Sequence, residues 1–433
     1  MYINDNKKIK WCSLQPLTGG MYFGTETAVG HPAEFIISYP GFDKPRFNKD
    51  GQLVDAGNEY SLIEYLKKKD RMVPYYQFER MPFQTDMNTN VQLLKDGEKV
   101  DAPDYSDMDL VVAVPVCSGL SSATLGASDE TKDARNCNMK YLTHYALGVI
   151  KPKVYVFENA PRLVGNPGAK VRAQLEDIAK QYDYTVVYYR TDTKWHDNCQ
   201  MRPRTFVYFF KNDSAHQGVP VLGYEHNNVS VEEFLNRIPD NSTQQVSLPI
   251  DGMNRLLLDY IKERHGSNWR EELKYPSILA DIIARDELDK WIEFSDKQDI
   301  EDKLKQNVKK YVAHIKHKLS MKMGFYATSP VINRKHAMPA AMFKTIPALM
   351  HYKEDRLFTM REWLSAMGMP YDFEMQGEHT KFFPKIGQNV PARTAQWIVS
   401  EALRVINNWD SVERTVSERP LLVNNDKQTT STI

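Results

Sequence analysis

Three short segments carry residue types able to do chemistry together. "PVCSGLS" sets Cys117 directly after the apolar run "DLVVAV", between Pro115 and Ser121. "FENAP" sets Glu158 and Asn159 after another apolar run, and "QMRPR" sets Gln200, Arg202 and Arg204 just ahead of "TFVYFF". A cysteine thiolate is a nucleophile. A buried carboxyl whose pKa is raised by burial is a proton donor at neutral pH. Guanidinium groups offer planar forks of donors to a carboxylate or a carbonyl oxygen. Singly, each has a plainer reading. A cysteine after a strand is ordinarily a packed apolar residue, a carboxylate there can cap the next helix, and "QMRPR" can be a solvated strand edge.

The elements that must position these residues show in the apolar pattern. Up to about Lys211, the runs "AEFIISY", "DLVVAVPV", "KVYVFEN", "YTVVYYR" and "RTFVYFF" alternate with stretches of helical spacing such as "MKYLTHYALGVI" and "AKVRAQLEDIAKQY". That alternation predicts an α/β fold with a mostly parallel, doubly wound sheet. Such sheets take ligands beyond the carboxyl ends of their strands, and Cys117 and the Glu158–Asn159 pair fall just past two such ends. After Asn212 the texture changes to a loop, and then to a helical, heavily charged stretch from Val231 to about Met323. The acidic "RDELDKWIEFSDKQDIED" gives way there to a basic stretch: Lys303 to Lys353 holds 11 Lys or Arg and no Asp or Glu, with Tyr311, Phe325 and Tyr326 among them. This is the footprint of a face that meets phosphates, or of a solvated helix balanced by the acidic stretch before it. The expected divisions are 1–211, a second domain over 212–345, a return to the first over 346–417, and a frayed tail over 418–433.

The bulk properties agree with that division. A chain of 433 residues, 42% hydrophobic, can bury one large core and a smaller second lobe. Its formal net charge of zero announces no polyanionic or membrane partner globally. The start "MYINDNKKIKWCSL" has no signal-peptide core, and no apolar run approaches the ~20 residues of a membrane helix. Cys12, Cys117, Cys137 and Cys199 show no metal-ligand spacing and are too few for a disulfide scaffold, so no metal site is expected and a reducing cytoplasm is the expected compartment.

In order along the chain these segments resemble the DNA cytosine carbon-5 methyltransferases. "SLQPLTGGMYFGTETAVG" resembles that family's DLFAGxGGxxxGxExAG opening, and "DLVVAVPVCSGLS" its strand and PPCQxxS loop. "KPKVYVFENAPRLV" resembles KPxxxxxENVxxL, and "CQMRPRTFVYFF" resembles QxRxR followed by a strand. "DRLFTMREWLSAMGMPYDF" resembles RxLTxRExxxxxGFPxxF, and "IGQNVPARTAQWIVSEAL" the closing GNxVPxxxAxxIxxxL. The resemblance implies a Rossmann-like class I methyltransferase sheet with a smaller, mostly helical target-recognition domain. The implied partner is double-stranded DNA, the implied donor is S-adenosylmethionine, and the implied state is a monomer.

It also assigns roles. Cys117 adds to ring carbon 6 of an extruded cytosine, which makes carbon 5 enamine-like. Glu158, protonated, donates to ring nitrogen 3, and Asn159 holds its loop. Arg202 and Arg204 offer their forks to Glu158 and to the base's carbonyl oxygen, with Gln200 positioning them. Pro115 and Ser121 lie against the base. Leu14, Gln15, Gly19, Gly20, Tyr39, Val116, Gln388 and Asn389 fall at the cofactor positions. Two features are expected to lower the Cys117 pKa: the free N–H groups after its strand and the two guanidiniums.

The chain departs from the family pattern on the cofactor side. Gln15 stands at the aromatic position that packs on adenine, Leu17 at a glycine, and Val116 at the proline before the cysteine. An acidic residue after the second strand has no clear match, Tyr39 and Pro40 standing there instead. The chain therefore reads as a divergent, phage-borne enzyme in a bacterial or host cytoplasm that keeps S-adenosylmethionine, or as the same scaffold with a different one-carbon donor. RNA as substrate and a catalytically silent DNA-binding protein are the remaining alternatives. The middle segment of more than a hundred residues favours DNA over RNA, and Cys117 with Glu158 and both arginines argues against silence.

Overall fold

In the computed structural model the runs rich in β-branched and aromatic residues form the strands of one sheet. The structure describes residues 8–80, 91–120, 134–213, 218–247, 249–321, 330–332, 338–341, 346–378, 381–409, 414–415 and 422–424. The chain forms two compact units, Met1–Asn228 with Ser365–Ile433, and Val229–Leu364.

Among the described residues, the sheet of the first unit has ten strands. They are β1 (Trp11–Leu14), β2 (Phe35–Ser38), β3 (Tyr75–Phe78), β4 (Leu93–Lys95) and β5 (Glu98–Val100). Next come β6 (Leu110–Ala113), β7 (Val154–Asn159), β8 (Tyr184–Asp192), β9 (Pro203–Lys211) and β10 (Leu422–Asn424). In space the order is β10–β8–β9–β7–β6–β1–β2–β3–β4–β5. The middle strands β3, β2, β1, β6 and β7 are parallel, as the sequence predicts. Beyond them β9 runs antiparallel between β7 and β8. Residues 193–202 are too few for a crossover helix, so β8 returns directly as β9. The tail is a correction: Leu422–Asn424, expected to fray, pairs with β8 at the edge of the sheet.

Every residue of β6 and β7 is buried, including the polar pair Glu158 and Asn159 at the end of β7. Strands covered on both faces need continuous apolar runs, which is why these two stand out in the sequence. Helices α1 (Gly20–Val29), α2 (Tyr60–Lys68), α3 (Ala134–Tyr145) and α4 (Ala169–Gln181) belong to this unit. Leu142 of α3 and Leu175 and Ile178 of α4 join Val111, Ala113, Tyr155, Phe157, Val207 and Phe209 in one core. The predicted helix to Ile150 ends in a π-turn over Ala146–Ile150.

The second unit is mostly helical, with α5 (Gly252–His265), α6 (Ile278–Ala284), α7 (Leu288–Lys297) and α8 (Asp302–Ser320) around a core of its own. Val308, Val312 and Ile315 form the buried stripe of α8 at helical spacing, and its lysines lie off that stripe. Two of them are held by the acidic helix before it, Lys309 by Asp296 at 2.8 Å and Lys316 by Asp289 at 2.6 Å. Within this unit the "RLFTMREW" segment folds on itself. Arg356 grips Glu362 with two bonds of 2.9 Å. Thr359 and Glu362 form a reciprocal capping box of 2.7 and 3.1 Å. The chain then returns to the first unit with α9 (Phe382–Gln388) and α10 (Ala392–Asn407), and α10 packs on α1.

Both unit boundaries lie later than the texture of the sequence places them, at Val229 rather than 212 and at Leu364 rather than 345. Strand pairing gives the reason. Val219–Pro220 pairs with Arg414–Thr415 and Asn227–Asn228 with His196–Asn198, which ties 212–228 to the first unit. Leu349–Met350 pairs with Val331–Ile332 and Thr359 bridges Ser247, which keeps 346–364 in the second.

Candidate active site

Three strands deliver the candidate chemistry to one end of the sheet. Ala113, the last residue of β6, aligns with Phe157, so Glu158 lies one step beyond β6 at the end that leads to Cys117. Because β9 runs antiparallel, its start meets the end of β7: Phe206 aligns with Glu158 and Thr205 with Asn159, which puts Arg204 just past them. Arg204 Nε lies 2.6 Å from Glu158 Oε1. Past β6 the chain stays buried through Pro115, and Val116 and Cys117 are half-buried at the start of a single turn over Ser118–Leu120. Ser121 lies outside the described residues.

That turn is pressed against α3. Val116 N–H donates to Asn138 Oδ1 at 2.8 Å. A Cβ on Gly119 would stand 2.4 Å from Asn136 Oδ1, so any larger residue there would push the Asn136 amide aside. Asn136 and Asn138 are both fully buried on α3 and hold the cysteine turn in place. Sequence reasoning missed them, because two asparagines near a helix start carry no signal that separates this task from capping.

The electrostatics follow burial first. Glu158 is 2% exposed, and loss of water raises its carboxyl above the usual carboxylate range, with Arg204 and then Arg202 pulling the other way. The Cys117 thiol is also pushed up, by burial first and then by the charge of Glu158. The lowering expected from the sequence is present, since Arg204, Arg202 and the residue's own N–H all act in that direction. Burial and the glutamate outweigh it.

The residues around this pair divide into two kinds. Arg202 is 1% exposed and turns toward the closing block, donating from Nη2 to the carbonyls of Gly387 at 2.7 Å and Asn389 at 2.9 Å. The sequence reading gave both guanidiniums to Glu158 and the base. Arg204 faces Glu158, while Arg202 holds α9 and the residues after it. Burial and the neighbouring Arg204 charge lower Arg202 to about 9, so it remains a cation at neutral pH. Gln200 is buried near the Ala366 carbonyl, at 3.5 Å, and Met367 Sδ, at 3.4 Å. Asn159 Oδ1 accepts the Ala160 N–H at 2.9 Å and so shapes the loop after β7.

On the other side of β6, Leu14 ends β1 in the core, and the chain then makes a tight loop. Its backbone is left-handed at Gln15 (φ 50°), Leu17 (φ 53°) and Gly19 (φ 104°). A leucine in that region costs about 1–2 kcal/mol. The loop is tied down by Glu59, a residue the sequence reading did not single out. Glu59 Oε1 accepts from Leu17 N–H at 3.3 Å and from Ser38 Oγ at 2.6 Å, and Oε2 accepts from the Tyr75 hydroxyl at 2.9 Å. Burial raises its pKa to about 8. A carboxyl from the start of α2 thus lies under the end of β2, with both its oxygens engaged by the protein itself. Gly20 N–H donates to Asn389 Oδ1 at 2.9 Å, and a Cβ on Gly20 would lie 1.8 Å from the Val390 carbonyl oxygen. The closing block therefore sits directly on the glycine loop. Tyr39 is buried against Phe78, 5.1 Å between ring centroids, while Gln388 is exposed at the end of α9.

Gln15 supplies the test of fit for a nucleoside-bearing cofactor. Its side chain is 1% exposed, and neither amide atom has a hydrogen-bond partner among the described residues. Each unmet group in an interior costs about 1–3 kcal/mol, so the loop fits a ligand that offers a donor and an acceptor there.

The first unit has an α/β architecture, and comparison with known proteins says which family it belongs to. The family model for C-5 cytosine-specific DNA methylases matches residues 83–404. The match covers most of the chain, and the chain belongs to that family. It is similar to Type II methyltransferase M1.HphI of Haemophilus parahaemolyticus, 22% identical over 328 residues that make up 75% of this chain and 75% of that one. Solved structures similar to it include Entamoeba histolytica methyltransferase EhMeth (TM-score 0.49, 11% identity, 94% of this chain and 99% of that chain). Another is S. pombe Dnmt2 methyltransferase (TM-score 0.44, 12% identity, 92% and 99%). The parallel middle strands with their helices, together with the family match, make this the Rossmann-like methyltransferase fold that the sequence predicts.

Proposed function

We propose that this protein transfers a methyl group from S-adenosylmethionine to ring carbon 5 of a cytosine extruded from duplex DNA. The supporting observation is the convergence of the half-buried Cys117, the buried Glu158 and Arg204 at one end of the sheet. Cys117 sulfur, as thiolate, bonds to carbon 6 while Glu158 gives its proton to ring nitrogen 3. The electron pair of the former 5,6 double bond then makes carbon 5 nucleophilic. Arg204 keeps Glu158 oriented toward the ring. S-adenosylmethionine, when bound, supplies the electrophilic methyl group. Gln15, Gly19 and Gly20 would hold it, with Leu14, Tyr39, Val116 and Asn389 shaping the walls. After transfer, water takes the proton from carbon 5, the double bond re-forms, and the Cys117–carbon 6 bond breaks to return the thiolate. Nitrogen 3 gives its proton back to Glu158. None of these groups reaches a stacked base, so the nucleotide must leave the duplex at a cost of a few kcal/mol, offset by phosphate contacts.

Mass spectrometry of nucleosides from DNA of cells expressing the protein tests the reaction directly, with 5-methylcytosine as the expected product. Loss of an aromatic stacking partner at position 15 weakens a cofactor by roughly tenfold at most. With about 1–3 kcal/mol more for ribose hydroxyls that lack a carboxylate partner after β2, an about micromolar site moves to tens or hundreds of micromolar for S-adenosylhomocysteine, read by calorimetry. A cytosine adduct of another mass, together with no S-adenosylhomocysteine binding with or without DNA, would replace the donor.

The basic helix α8 can be tested by salt dependence. Lys309 and Lys316 are held by aspartates, whereas Lys310 and Lys318 make no ion pair among the described residues. Neutralising Lys310 and Lys318 to glutamine should shrink the log–log salt slope of DNA binding by about two. The same change at Lys309 and Lys316 should leave it nearly constant. If neither pair moves the slope, α8 is a solvated face and the DNA contacts lie elsewhere.

A further inference from the structure

Within "QMRPR" the reaction uses Gln200, Arg202 and Arg204 and leaves Met201 and Pro203 without a task. The segment is extended, and burial alternates along it. Gln200 and Arg202 are buried and Arg204 is half-buried, while Met201 and Pro203 are exposed. Successive side chains of an extended chain point to opposite faces. The even positions therefore share the face on which Arg204 meets Glu158. The odd positions continue the row of Val207 and Phe209, whose side chains lie in the core against which Cys117 packs. At the end of the sheet that row runs out into solvent. It finishes in a pyrrolidine ring and a thioether side chain, the latter 43% exposed.

A single exposed methionine is ordinary, but this one stands on a fixed stem. On its amino side the Gln200 N–H donates to Asn198 Oδ1 at 2.9 Å, and the Gln200 carbonyl accepts from Thr193 Oγ1 at 2.6 Å. On its carboxyl side the Arg202 N–H donates to Asp192 Oδ1 at 2.9 Å, and the Arg202 carbonyl accepts from the Thr193 N–H at 3.2 Å. The Arg202 guanidinium is itself tied to the carbonyls of Gly387 and Asn389. Both neighbours of Met201 are thus anchored, and Pro203 fixes φ just after them. Arg204 lies three residues on, about 10 Å along an extended strand, which is about the rise of three base pairs.

We propose that Met201, backed by Pro203, is the wedge that enters the base stack when the target nucleotide is extruded. This role rests on the reaction proposed above, which needs the nucleotide out of the duplex and assigns no group to the gap it leaves. Proteins that kink a duplex part its base steps with apolar side chains, methionine and proline among them, which replace the stacking surface that the step loses. Methionine suits an irregular gap because it is unbranched and polarizable. Its place on the same segment as Arg204 couples two events. The ridge that opens the stack also carries the guanidinium that orients Glu158 on the extruded ring.

The test uses the full chain, its Met201→Ala and Met201→Leu variants, and duplexes of the sequence that the protein selects by binding from a random pool. In one duplex the target cytosine pairs with guanine. In the other it faces an abasic site, so the cost of unpairing is already absent. Methyl transfer is measured on both, and the ratio of the two rates within each preparation cancels any difference in folded fraction. Relative to wild type, the abasic-to-paired ratio should rise about tenfold or more in Met201→Ala. It should stay within about threefold in Met201→Leu, which keeps the apolar bulk. A ratio unchanged in Met201→Ala would overturn the proposal, and so would an equal rise in Met201→Leu. Extrusion is read without methyl transfer by 2-aminopurine, paired with thymine and placed at each cytosine position in turn. The fluorescence rise on binding wild type should drop to about half or less in Met201→Ala, and an equal rise in both proteins would overturn the wedge. A wild type that extrudes the base but methylates neither duplex would instead fail the reaction proposed above, with the fluorescence still deciding the wedge.

Discussion

Replacing Cys117 with serine is expected to abolish product formation, by on the order of 10⁴-fold or more, while leaving DNA affinity within about twofold. A serine hydroxyl is far less acidic than a thiol, and among the described residues none is hydrogen-bonded to Cys117 as a base would be. Glu158 lies one step beyond Cys117's strand in the register, its carboxyl is paired with Arg204, and burial raises its pKa. The wild type should form a covalent complex with duplexes containing 5-fluorocytosine, because fluorine at carbon 5 cannot leave as a proton does. The adduct should map to Cys117 by peptide mass spectrometry. Cys12, Cys137 and Cys199 are buried, and burial drives the Cys12 thiol strongly away from ionisation. Trapping that survives in Cys117→Ser, or an adduct on Cys137 or Cys199, would take the nucleophile away from Cys117.

Glu158→Gln should reduce turnover by roughly 10²–10⁴-fold, the range for loss of a positioned general acid. The amide keeps the shape and can still donate a hydrogen bond to ring nitrogen 3, but it cannot transfer a proton. Substrate affinity should change little, so the loss should fall on kcat rather than on KM. The pH profile gives the sharper reading. Glu158 must carry its proton to act, and its raised pKa keeps that proton to higher pH than an ordinary carboxyl would. Activity that depends on it is present below that pKa and is lost as pH rises through it. Cys117 imposes the opposite slope, since its thiolate fraction grows with pH and burial has pushed its pKa up. The wild type should therefore show a rising and a falling limb, and the variant should keep the rising limb alone. A falling limb that persists unchanged in Glu158→Gln would assign it to another group. A kcat within threefold of wild type would remove Glu158 from the proton transfer.

Much of the candidate site was legible in residue types and order. The cysteine follows an apolar run, and the glutamate ends another. Both runs are visible because β6 and β7 are buried on both faces and leave no room for polar residues until their ends. The alternation of such runs with helical spacing was enough for an α/β sheet. It was not enough for the direction of β9, because a run of apolar residues reads the same in either sense. Glu59 was invisible for a related reason. Its partner Leu17 is 42 positions away, and nothing in "AGNEY" distinguishes a helix-start glutamate in solvent from one folded under a loop.

What the amino-acid sequence determined by itself is the chemical inventory and its order: one thiol after a strand, one acid after the next, and arginines before a third, in the pattern of the C-5 cytosine-specific DNA methylases. Those are local properties, set by composition and by periods of two and 3.6 residues. Only the tertiary structure decided which arginine faces the acid. Reversal of β9 puts Arg204 beside Glu158, while Arg202 finds carbonyls 185 and 187 positions away. Only it decided that Lys309 and Lys316 on the basic helix are spoken for by aspartates of α7. It also decided the sign of the cysteine's pKa shift, because two nearby cations lower it while the loss of water and a neighbouring carboxyl raise it further. Register, strand direction and burial are properties of contacts between distant segments, and no local window of sequence contains them.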